Sequence, residues 1–142
     1  MAFNDPEAIL RDAAAKKVIK TEKAPEAIGP YSQAVRAGEF VYASGQIPIE
    51  PKTGNFVSDD IREQAKQSLE NLKAIFEAAN YSLEDVIKTT VFVTDIANFA
   101  AVNEVYAEYF SKDAPARSFV AVKDLPKGAK VEIEAVAWKK LF

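Results

Sequence analysis

Apolar and polar positions alternate in several short stretches and recur every three to four residues in two longer ones, so the chain predicts strands interrupted by two helices. Residues 34–43 read as two strands around a turn at Gly38, a hairpin running into a loop where Ser44-Gly45-Gln46 breaks the pattern. Ser58, followed by Asp59 and Asp60, offers an N-cap with acidic support for the helix dipole. From there Ile61, Ala65, Leu69, Leu72, Ile75, Phe76 and Ala79 fall on one helical face, and Asn80-Tyr81-Ser82 closes the helix. The β-branched run at residues 86–93 predicts a strand. Residues 95–110 return to helical spacing through Phe99, Val102, Val105, Tyr106 and Tyr109. Two final strands, near 117–123 and 130–138, are expected to form a closing hairpin around Leu125-Pro126-Lys127-Gly128.

That order of elements specifies an α+β domain in which a mixed sheet carries both helices on one face. On the last strand Val136 and Trp138 share the side that bears Glu132 and Glu134, away from the helices. Leaving that face in water would expose a large apolar patch, so a homo-oligomer is expected. Residues 1–20 stand apart as an N-terminal extension, and residues 21–142 form the domain. In the extension, Asp5-Pro6-Glu7 reads as an N-cap with Pro at the first helical position, followed by a narrow stripe of Ile9, Leu10, Ala13 and Ala14. Its acids offset Arg11 and the lysines, unlike a mitochondrial transit segment.

Composition narrows the chemistry. With 142 residues, one core is the default. The net charge of −3 gives no general attraction to a polyanion, so nucleic acid is not an expected partner. The chain has no His and no Cys, which removes disulfides, thiolate sites, the commonest metal ligand and any Ser-His-Asp triad; no metal is expected. No apolar run approaches the ~20 residues that cross a bilayer, and the amino terminus lacks a signal-peptide core. A cytoplasmic protein is expected, with a mitochondrial one as the alternative. Walker, dinucleotide and EF-hand patterns are all missing. Chemistry must then run on carboxylates, Arg, Tyr, Lys, hydroxyls, backbone groups or water.

The best of those groups gather in Pro115-Ala116-Arg117-Ser118 and in the strand that carries Glu132 and Glu134. Were Lys123 paired with Lys130, Arg117 would face Val136 and Glu132 would face Ala121. Both side chains would then share a face, ~13 Å apart along the strand. A bulge, a spanning substrate or a second subunit could close that gap, and the expected oligomer favours a site at a subunit boundary.

Several separated blocks carry a resemblance: Gly29-Pro30-Tyr31-Ser32-Gln33-Ala34, Ser44-Gly45-Gln46-Ile47-Pro48, Thr89-Thr90-Val91-Phe92-Val93, Val102-Asn103, Pro115-Ala116-Arg117-Ser118 and the strand at 131–137. In this order, from Thr21 to the carboxyl end, they resemble the Rid family, the reactive intermediate deaminases also known as YjgF. The resemblance implies a chorismate-mutase-like fold, a mixed sheet of about six strands with two helices on one face, assembled as a homotrimer with three clefts between subunits. It also implies cofactor-free hydrolytic deamination of small 2-imino acids, 2-iminopropanoate and 2-iminobutanoate, to 2-keto acids and ammonia. Such imines arise from enamines released by pyridoxal-phosphate enzymes acting on serine or threonine.

The family's Arg and Glu fall on Arg117 and Glu132, and Tyr31, Ser44, Gly45 and Asn103 match positions that line its cleft. Position 119, often Cys in bacterial members, is Phe119 here. On this reading Arg117 grips the substrate carboxylate with its planar fork. Glu132 holds the attacking water and moves protons. Tyr31 stands over the pocket behind the Gly29-Pro30 turn, Asn103 presents an amide from its helix, and Ser44 and Gly45 offer a hydroxyl and backbone donors. Two other readings compete: a regulatory protein that binds a 2-keto acid without turnover, and an RNA-acting endoribonuclease or translation inhibitor.

Overall fold

The structure is a computed structural model and describes residues 5–8, 11 and 15–141. Its elements are β1 (Lys17–Ile19), β2 (Ala34–Ala37), β3 (Phe40–Gln46), α1 (Ile61–Ala78), β4 (Val86–Val93), α2 (Phe99–Tyr109), β5 (Ala116–Ala121) and β6 (Val131–Trp138). The six strands form one sheet in the order β1-β2-β3-β6-β4-β5. All ladders are antiparallel except β4–β5. Near the amino end, the Glu7 N–H donates to Asp5 Oδ1 at 3.0 Å, as an N-cap requires. The apolar stripe of Ile9, Leu10, Ala13 and Ala14 lies outside the described residues.

The expected closing hairpin does not form. Strand β4 lies between β5 and β6: Arg117 pairs with Thr89 and Thr89 with Ala135, while Phe92 pairs with Glu132. The reason is geometric. Strands β3 and β4 run parallel with a strand-wide slot between them, and β6 fills that slot with antiparallel ladders on both sides. Its strict alternation, with Val131, Ile133, Ala135 and Ala137 all buried, suits a strand flanked on both sides. Strand β5, joined to β4 through α2, is left as the more exposed edge.

Three smaller differences have similar causes. Strand β3 continues through Ser44 and Gly45 to Gln46 by way of a bulge, where the sequence suggested a loop. Helix α1 starts two residues later than expected, with Asp60 as N-cap accepting from the Glu63 N–H; Ser58 Oγ instead accepts from the Asp60 N–H. The three residues of β1, which fall within the stretch assigned to the extension, pair with β2 and join the sheet.

Both helices pack on one face of the sheet. There Leu69, Leu72, Ile75 and Phe76 of α1 meet Val41, Val91, Val131 and Ile133 in a fully buried core. Each such side chain contributes about 1.5–3 kcal/mol of burial. The described residues leave the opposite face uncovered. One cross-strand row runs Val18, Val35, Tyr42, Val136 and Lys88, and beside it Phe40 pairs with Trp138. Val18, Phe40, Tyr42 and Trp138 are all exposed. No described helix is long and apolar enough to cross a membrane.

Candidate functional site

The register fixes where Arg117 points. Its neighbour across the ladder, Thr89, is fully buried beneath the helices, so Arg117 emerges on that same face at the sheet edge. Helix α2 meets it there with Phe99, Asn103 and Tyr106, which helical spacing stacks on one side. The Arg117 Nη1 donates to Asn103 Oδ1 at 2.7 Å. Its guanidinium carbon lies 4.8 Å from the Tyr106 ring centroid, 5.4 Å from that of Phe119 and 5.8 Å from that of Phe99. The Tyr106 hydroxyl is itself fixed by a buried 2.7 Å hydrogen bond with Thr89 Oγ1. Burial keeps that phenol above its ordinary pKa, so it stays protonated.

Among the described residues Arg117 has no carboxylate within ion-pair distance. A cation stabilised by rings and one amide, yet lacking a counter-ion, is ready for an anion from outside. A cavity of ≈ 320 Å³ opens beside it, with walls from Tyr106, Ala107, Phe110 and Pro115, and among the described residues Arg117 is its one charged lining residue.

Glu132 points the other way. Its chain neighbours Val131 and Ile133 are buried under the helices, so Glu132 lies on the open face of the sheet. The bulge in β3 brings Gly45 against it: a Cβ built on Gly45 would sit 2.8 Å from Glu132 Cδ and 2.9 Å from Oε2. Only glycine leaves that space free. Glu132 has no hydrogen bond or ion pair among the described residues. Desolvation, and secondarily the charge of Glu134, raise its carboxyl above the ordinary pKa.

Ser44, beside Gly45 in the bulge, ties down the loop that carries Tyr31. Ser44 Oγ donates to the Ser32 carbonyl at 2.7 Å, and the Ser44 N–H donates to the Gln33 carbonyl. The Ser44 hydrogen is therefore committed to holding the Tyr31 loop rather than free for a ligand. Buried Gln33 anchors the same loop, accepting from the Thr21 N–H and donating to the Thr21, Ala24 and Pro25 carbonyls. Gly29 turns at φ +124°, which only glycine adopts readily, and sets Tyr31 with its ring against the turn and its hydroxyl accepting from the Ile28 N–H at 3.3 Å. Tyr31 is 54% exposed and lines a groove of ≈ 460 Å³ together with Val18, Thr21 and Pro51.

The six candidates thus form two clusters. Arg117 and Asn103 sit on the helix face at the β5 edge; Tyr31, Ser44, Gly45 and Glu132 sit toward β2 and β3, with Glu132 on the open face. The expected common face for Arg117 and Glu132 is therefore incorrect, because it rested on a hairpin that is absent. Sequence reasoning also passed over Thr89, Phe99 and Tyr106 as site residues. The available signal was Phe99, Asn103 and Tyr106 at helical spacing, an amide between two rings.

The antiparallel-dominated sheet, two helices on one face and paired clusters define a YjgF-type α+β protein. A family model described as Endoribonuclease L-PSP matches residues 21–139. A RutC family protein of Pyrococcus horikoshii is 59% identical over 125 residues, covering 88% of this chain and 99% of that protein. The 2-iminobutanoate/2-iminopropanoate deaminase of Salmonella typhimurium is 54% identical over 127 residues, covering 87% of this chain and 98% of that protein. Among solved structures, Escherichia coli TdcF with bound serine superposes with a TM-score of 0.84 at 50% identity, over 87% of this chain and 99% of that one. This chain belongs to the Rid family.

Proposed function

We propose that the protein hydrolyses small 2-imino acids to 2-keto acids and ammonia at sites shared between subunits of a homotrimer. The observation that carries this reading is the state of Arg117: charged, ring-flanked, held by Asn103 and without a carboxylate partner among the described residues. A 2-imino acid offers what that group lacks, a carboxylate beside an electrophilic C=N carbon. The guanidinium takes the carboxylate bidentately through the edge Asn103 leaves open. Glu132 accepts a proton from water as its oxygen bonds to the imine carbon, and returns a proton to nitrogen. Glu132 then carries the carbinolamine's hydroxyl proton to nitrogen, the C–N bond breaks with its electron pair leaving on ammonia, and the ketone C=O forms.

Two observations support a site made by two copies. Within one chain Arg117 and Glu132 lie on opposite faces of the sheet and two ladders apart, about 10 Å sideways before the difference of face is counted. The uncovered apolar row of Val18, Tyr42 and Val136, with Phe40 and Trp138, offers the surface such an assembly would bury. The name of the Salmonella relative supports the choice of substrate.

The test is direct. Added to a serine or threonine dehydratase reaction, the wild-type protein should accelerate loss of the imine, and Arg117→Ala should abolish the acceleration. Imine decay unchanged by the wild-type protein would rule the activity out.

A further inference from the structure

The arrangement around Arg117 does more than stabilise a charge. Three rings approach one guanidinium, and the nearest of them, Tyr106, is not free to move, because its hydroxyl is locked to Thr89 on the strand beside Arg117. Phe119 follows Arg117 by two residues on the same face of β5, and its ring meets Phe99 edge-on with centroids 4.7 Å apart. Strand and helix therefore grip the side chain together. Asn103 consumes one N–H of Nη1 and fixes rotation in the guanidinium plane. The rings restrict tilt out of that plane, and the weak hydration of guanidinium suits it to this half-buried setting.

We infer that Tyr106 is a positioning residue for the guanidinium of Arg117, anchored by Thr89 and aided by Phe99 and Phe119, and that it fixes the plane in which a carboxylate must approach. The kinetic consequence rests on the deaminase reading; the geometric one does not. An Arg with several equivalent rotamers would lose entropy on binding each anion, and the cradle removes that loss beforehand. The effect falls on ground-state and transition-state binding alike. It therefore appears in KM and leaves kcat nearly intact.

The experiment uses the full chain and two readouts. In protein with 15N-labelled arginine, the Arg117 Nε–H resonance should be displaced by ring currents; Tyr106→Leu should return it toward the ordinary arginine position, and Tyr106→Phe should keep it displaced. In imine turnover, Tyr106→Leu should raise KM roughly tenfold with kcat within about twofold, and Tyr106→Phe, which keeps the ring but loses the Thr89 anchor, should raise KM about threefold. If Tyr106→Leu does not fold, Phe99→Leu removes a ring that is 42% exposed and should raise KM about threefold. A wild-type resonance at the ordinary position, or Tyr106→Phe as impaired as Tyr106→Leu, overturns the inference. Absence of turnover in the wild type would sink the deaminase reading, and the resonance alone would then decide the positioning.

Discussion

Gly45 and Glu132 touch where a side chain cannot fit: the missing Cβ of Gly45 would overlap the Glu132 carboxyl at 2.8 Å. The obstructed group is the end of a flexible side chain, so Gly45→Ala should shift Glu132 rather than unfold the protein. Stability is expected to change by less than about 1 kcal/mol, and imine turnover to fall up to roughly a hundredfold as the base leaves its place. Thermal melting and the imine-decay assay measured on the same preparation check both halves of this expectation.

Replacing Arg117 with Lys keeps the charge but removes the planar fork and the hydrogen bond to Asn103. Loss of the fork should weaken carboxylate binding by roughly tenfold or more, read as a higher KM and a higher Kd for 2-oxobutanoate. Equal affinity of Lys and Arg variants in a calorimetric titration would mean that charge alone holds the substrate.

Much of the fold is legible in the alternation and helical spacing of the chain. Strand β4 and helix α1 follow from runs of local pattern. The partner of β6 does not, because adjacency in sequence favours the hairpin and only the slot between β3 and β4 overrides it. The three residues of β1 are too few to show a period. For the site, Arg117, Glu132, Tyr31, Ser44, Gly45 and Asn103 could be named from family blocks. Their faces could not, since a face depends on the ladder each strand joins. Thr89 and Tyr106 read as ordinary core positions, and only their contact with each other and with Arg117 gives them a role.

The pH dependence follows from Glu132. Its carboxyl is raised first by desolvation and then by Glu134. As a base it must be ionised, so activity should rise with pH through that raised value. Glu134→Gln removes the second cause and should move the acid limb of kcat/KM to lower pH. Linkage has the opposite sense for stability: a carboxyl with a raised folded pKa stabilises fully below its unfolded pKa, and this contribution is lost as pH rises through the folded value. Glu132→Gln should therefore flatten the stability profile in that window, as denaturant titrations at several pH values can measure.

The central claim, that Arg117 of one copy works with Glu132 of another, is tested most directly by complementation. Arg117→Ala and Glu132→Gln chains carrying different tags are co-expressed and purified through both tags, so that every trimer contains both variants. Each variant alone should be inactive, yet one site in three of a mixed trimer would combine an intact Arg117 with an intact Glu132, giving about a third of wild-type imine turnover. Mixed trimers as inactive as either parent would contradict the account.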